Sequence, residues 1–143
     1  AEHRATLVRL ADLPAAPDPA AADVVLVDRV GVLAELYTVG DAAFVGGGFH
    51  DAGLHSVLEP AACAIPVAFG PQHGESRDAG LLLAAGGAAT AGTPRALAEL
   101  LRRMTSPALR THAGEAARRV VEAGLGADRR AWDVVARLLP PIG

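Results

Sequence analysis

The sequence predicts an α/β layered fold built on a mainly parallel sheet. Three observations carry that prediction. Short apolar runs alternate with helix-like runs. Each run is bounded by Gly, Pro or Asp, as strands buried on both faces are. The helical segments open on Ser/Thr-Pro pairs that set a start. The strands are expected at Thr6–Leu10, Val24–Val27, Ala42–Val45, Pro66–Phe69 and Ala88–Ala91. Between the first two, residues 11–22 carry Pro14, Pro17 and Pro19 without periodicity and read as a surface loop.

The helices follow in order. Arg77–Ala85 is expected to be helical, with Gly80 as its weak point. Thr93 caps a helix with Pro94 at its first position and Leu97, Leu100, Leu101 and Met104 on one face. Ser106-Pro107 repeats the device, with Leu109, Ala113, Ala116 and Val120 inward and Gly124 as the stop. A last helix over Arg129–Leu139 places Trp132, Val135, Ala136 and Leu139 together, and Pro140-Pro141 ends it.

Composition bounds the rest. A chain of 143 residues, 51% hydrophobic and 20% charged, fits one domain with a real core. It holds 32 alanines, which let helices lie close to a sheet and make the core thin. All 13 basic residues are arginine, against 16 acids, giving a net charge of −3. That is a poor nucleic-acid footprint, and no nucleic-acid partner is expected. No run reaches the roughly 18 uninterrupted apolar residues of a membrane helix. The start, Ala1-Glu2-His3-Arg4, has no signal-peptide pattern and no Met, so an internal cut of a longer chain is expected. The single cysteine, Cys63, excludes a disulfide framework and reads as an inert core residue on an apolar helix.

The most informative stretch runs from Phe44 to Pro60. A buried strand ends in Gly46-Gly47-Gly48, a loop follows, and a helix starts near Ser56. Ligands of open α/β sheets bind at the carboxyl ends of strands. Glycines there admit an anion to backbone N–H groups, and a helix start adds positive partial charge. The other reading is a tight turn that makes room for a neighbouring loop. Ser56-x-x-Glu59 reads as a capping box; the functional alternative has Glu59 accepting from a sugar diol. A second glycine loop, Gly70 to Arg77, follows the next strand and borders the same crevice. Arg77 either faces a phosphate or begins an exposed helix face. His50, His55 and His73 fall in these loops, but their spacing matches no metal-ligand pattern, so no metal is expected.

Four motifs resemble those of 3-deoxy-D-manno-octulosonic acid (Kdo) transferases, in the C-terminal half of these GT-B glycosyltransferases. They are Asp28-Arg29-Val30-Gly31-Val32-Leu33, Phe44-Val45-Gly46-Gly47-Gly48, Gly53-Leu54-His55-Ser56-Val57-Leu58-Glu59-Pro60 and Ile65-Pro66-Val67-Ala68-Phe69-Gly70-Pro71. The resemblance implies a Rossmann-like three-layer sandwich that lacks its first βα unit. It implies a nucleotide sugar, CMP-Kdo or similar, as ligand, with Gly31, Gly47, Gly48, His55, Ser56 and Glu59 lining the donor pocket. The catalytic base and acceptor site would lie in an absent N-terminal Rossmann domain. No residue here is then catalytic, no cofactor is needed, and this piece alone binds a donor without transferring it. The parent would be a cytoplasmic enzyme of lipopolysaccharide biosynthesis that meets the inner membrane through its N-terminal half.

Val32 replaces a family Glu, Ser56 a family Asn and Leu54 a family Gly, while Glu75 puts an acid in the second glycine loop. Two lost polar contacts at ~1 kcal/mol each weaken binding about 30-fold. Those departures keep two alternatives open: a GT-B domain for a UDP- or GDP-sugar or an epimerase, and a degenerate non-catalytic binding domain.

Overall fold

A computed structural model describes residues 5–15 and 18–138. The residues Ala1-Glu2-His3-Arg4, Pro17, Leu139 and Pro140-Pro141, on which some expectations rest, lie outside that range. The chain divides into two compact units that meet between Leu33 and Ala34. All five expected strands form, each trimmed to three residues, and every pairing is parallel. They make two sheets.

The first unit holds Leu7–Arg9 (β1) and Val24–Leu26 (β2), paired Leu7 to Val24. The expected proline loop between them is ordered into two 3-10 turns, Leu10–Ala15 and Pro19–Ala21. Thr6 clamps the start of β2. Its backbone N–H and its hydroxyl both donate to Asp23, at 2.8 and 2.9 Å. Those two bonds hold the Asp23 carboxyl below its ordinary value, the backbone bond contributing most. Burial on both strand faces does not occur here. Leu7, Val24, Val25 and Leu26 are exposed; among the described residues the unit sets two short 3-10 turns beside them.

The second unit opens with a helix that the sequence reading missed, Leu33–Tyr37 (α1), whose first residue ends the first unit. Ala43–Val45 (β3), Val67–Phe69 (β4) and Ala88–Thr90 (β5) then form a sheet in the order β3-β4-β5. Leu58–Ala62 (α2) follows β3, and Arg77–Ala85 (α3) follows β4. Pro94–Arg103 (α4), Pro107–Gly124 (α5) and Ala127–Leu138 (α6) complete the chain.

The pleat sorts side chains to two faces. Val45, Val67 and Phe69 join Val57, Ala61, Ala79, Leu82 and Ala117 in one core under α2, α3 and α5. Phe69 and Leu82 are its largest fully buried side chains. Seven of the thirteen buried apolar residues are alanines, so the core is as thin as composition implies. On the other face, Phe44, Ala68 and Ala89 form a cross-strand row beside α4. A cavity of about 460 Å³ separates that row from Leu97, Leu100, Leu101 and Met104.

Several expectations about helix faces need correction. In α5 the buried residues are Gly114, Ala116 and Ala117, while Leu109 is exposed. The reason is steric: a side chain at Gly114 would overlap the Ala64 carbonyl, so only the smallest residues fit that contact. Ser106 precedes α5 but its side chain makes no capping bond; the helix does end at Gly124 as expected, with left-handed Gly126 two residues beyond. Residues Trp132 and Val135 of α6 are exposed, as that helix buries none of its described residues. Thr93 caps its helix as expected, accepting from Ala96, and Ser76, not singled out in the sequence, caps α3 by accepting from Ala79. No described helix is long and apolar enough to cross a membrane.

Candidate functional site

The loops that leave the carboxyl ends of β3 and β4 lie against each other. Gly47 has φ +91°, and a side chain there would collide with the Gly53 carbonyl. The His55 N–H donates to the Gly46 carbonyl at 3.2 Å and closes this first loop. Gly48 is buried against the second loop. A Cβ on Gly48 would sit 2.7 Å from the Gly70 nitrogen, and one on Gly70 would overlap the Gly48 carbonyl. The Gln72 N–H donates to that same carbonyl at 2.9 Å. Gly47 and Gly48 are therefore required by chain packing whether or not an anion binds beside them.

The capping box is not formed. The helix begins one residue later than expected, with Val57 at the cap position and no side-chain bond to it. The shift places Pro60 third in the helix, where the backbone N–H has no intrahelical partner and its loss costs nothing. Glu59 then occupies the first turn of α2, exposed and without a capping role. His55 and Ser56 are exposed just before it. Tyr37, half-buried on α1, is a residue the sequence reading passed over. Burial raises its phenol first, and the charges of Glu59 and Cys63 add to the rise. Leu33, Leu36 and Tyr37 at helical spacing were the signal that could have placed it. Cys63 ends α2 and is partly exposed, so it is not the core residue expected; Ala61, two positions earlier, takes that place with no exposure.

Between the two loops lies a polar cleft of about 490 Å³. His50 and Asp51 reach it from the first loop, and Gln72, His73, Glu75 and Ser76 from the second. None of the expected site residues lines it. His50 Nδ1 accepts from the Ala52 N–H at 3.3 Å, so the neutral ring carries its proton on Nε2. The His73 ring meets buried Phe69 edge-on, with centroids 5.2 Å apart. Ser76 Oγ accepts from the Ala79 N–H at 3.2 Å and starts α3. Arg77 is the first residue of that helix, exposed and outside the cleft lining.

Gly31 belongs to the first unit. It has φ +90° and no atom within 4 Å of a modest side chain's first carbon, so its requirement is conformational. Among the described residues no group of three His, Cys, Asp or Glu could hold a metal ion.

No protein-family profile matches the chain. A 3-deoxy-D-manno-octulosonic acid transferase of Aquifex aeolicus is 57% identical over 49 residues, covering 34% of this chain and 14% of that protein. One of Bordetella pertussis is 37% identical over 115 residues, covering 79% of this chain and 27% of that protein. The chain thus matches about a quarter or less of the length of these relatives. Among solved structures, the C-terminal CMP-Kdo binding domain of WaaA from Acinetobacter baumannii superposes with a TM-score of 0.69 at 19% identity, covering 82% of this chain and 61% of that one. At that identity the superposition shows a shared fold: mixed α/β with parallel sheets.

Proposed function

This chain belongs to the 3-deoxy-D-manno-octulosonic acid transferase family, in its C-terminal half, and on that premise we propose that it binds the nucleotide-sugar donor of a glycosyltransferase. CMP-Kdo is the reference donor, and a lipid-linked hydroxyl the reference acceptor. One observation carries the reading. The family-like motifs from Phe44 to Pro71 fold into two touching loops at the carboxyl ends of adjacent parallel strands, with Glu59 free of any capping duty.

In this reading Glu59 accepts from the two ribose hydroxyls, which suits a carboxylate with two oxygens. Ser56 and His55 stand beside it and contact the phosphate, where Gly47 and Gly48 contribute backbone N–H groups. Arg77, exposed at the start of α3, offers a positive charge. Holding the leaving phosphate with preorganised donors is the main catalytic contribution of such a half. Transfer itself requires the preceding Rossmann domain, which supplies the base and the acceptor site. Through that half the parent enzyme works at the cytoplasmic face of the inner membrane.

Calorimetric titration of the chain with CMP and with UDP tests the reading. CMP should bind, and Glu59→Ala should weaken it about tenfold, the loss of a charge-assisted hydrogen bond, while the melting temperature holds. Absence of heat with either nucleotide in a folded sample overturns it. Val32 and Ser56 favour a second reading, a UDP- or GDP-sugar enzyme. That reading takes over if UDP clearly outcompetes CMP.

A further inference from the structure

The charges of the chain are not spread evenly along it. Residues 94–143 hold nine arginines and five acids, a net +4, whereas residues 1–93 hold four arginines and eleven acids, a net −7. The overall charge of −3 conceals that split. The basic part is the run of helices α4, α5 and α6. We propose that α6 docks on an anionic lipid surface, with its apolar side among the headgroups and its arginines against the lipid phosphates. This does not rest on the donor-binding reading above.

The pattern of the helix comes first. At about 3.6 residues per turn, Ala131, Trp132, Val134, Val135 and Leu138 share one side of α6, and Arg129, Arg130, Asp133 and Arg137 share the other. Every residue of the helix is exposed; Trp132 keeps 64% of its surface in solvent and Leu138 79%. Twelve residues are too few for a bilayer span, which needs about 20, so such a helix lies flat on a surface.

The arginines divide into two roles. Arg130 donates to the Leu125 and Gly124 carbonyls, at 2.9 and 3.4 Å, and ties α6 to the end of α5. Arg129 and Arg137 have no carboxylate partner among the described residues. Asp128 is the one charge on the apolar side, and it stands in the first turn, where it complements the helix start.

The choice of partner follows from having both features in one helix. A nucleic acid would use the arginines and leave the apolar side in water. An apolar protein surface would cover Trp132 and leave the charge split without a purpose. A bilayer with anionic lipids meets both demands: its negative surface attracts basic segments, and an indole settles at headgroup level.

Trp132 is the only tryptophan of the chain, so its emission reports this face alone. The test mixes the chain with vesicles of phosphatidylcholine, and with vesicles of equal parts phosphatidylcholine and phosphatidylglycerol. The mixed vesicles should shift the emission to the blue, plain phosphatidylcholine should not, and added salt should reverse the shift. Arg129→Gln and Arg137→Gln should each lower partitioning about fivefold. Val135→Asp should abolish it. All three positions are exposed, so the melting temperature should hold, and the arginine variants decide the matter should Val135→Asp fail to fold. A shift of equal size on plain phosphatidylcholine, indifferent to salt, would remove the arginines from the contact and overturn the inference. An emission that follows protein concentration and ignores vesicles would assign the face to a second copy, and one that nothing moves would leave it without a lipid role; either result also overturns it.

Discussion

The two faces of the three-stranded sheet use the same small residues to opposite effect. Under α2, α3 and α5, Ala61, Ala79 and Ala117 have no exposure, and a Cβ at Gly87 would stand 2.5 Å from the Ala117 nitrogen. On the other face Ala68 and Ala89 leave a cavity of about 460 Å³ beneath α4, which buries none of its residues. Smallness closes a gap only when the opposing surface is also small enough to follow. Where α4 brings leucines and a methionine to the alanine row, the longer side chains hold the helix off.

Substitutions can break or sharpen that contrast. The largest effect is expected from Phe69→Ala on the tight face, about 3–5 kcal/mol, because a fully buried ring leaves a void between elements already in backbone contact. Urea unfolding would read it, and a loss below about 1 kcal/mol would mean that the face collapses freely. Gly114→Ala should cost about 1–3 kcal/mol by forcing α5 off the Ala64 carbonyl. A neutral result in thermal melts would show that the contact gives way.

Ser76→Ala, at the start of a tight-face helix, should cost about 1 kcal/mol, whereas Ser56→Ala should cost nothing measurable. Equal losses for the two serines would restore the capping box. The smallest effect is expected on the loose face. Ala89→Leu adds volume toward the cavity and should lie between neutral and about 1 kcal/mol stabilising. A clear destabilisation would mean that the cavity is not free to be filled.

The strands and most helices were legible because punctuation marks them. Thr93-Pro94 and the Gly-bounded apolar runs announce their elements locally. The face of α5 was legible only in part: Ala116 is buried and Val120 packs on the core as expected, but apolarity ranks Leu109 above Gly114 while packing ranks them the other way. Ser56-x-x-Glu59 misled because a capping box is satisfied by residue type alone, and the register was decided instead by Pro60. The cleft was out of reach altogether. His50 and Gln72 are 22 positions apart in loops without periodicity, and the pairing of β3 with β4 and the glycine contact between the loops that follow bring them together. Glu59, by contrast, was named from the motif and stands exposed in the first turn of α2.

That glycine contact limits how the two loops could be altered. Gly48 and Gly70 occupy each other's side-chain space, so neither accepts a larger residue unless its partner's backbone gives way. A library aimed at this end of the sheet would waste its members by randomising positions 47, 48 and 70. Diversity belongs at 51, 72 and 75, where exposed side chains line the cleft. The molecule thus separates an invariant frame from an editable surface within a span of about thirty residues.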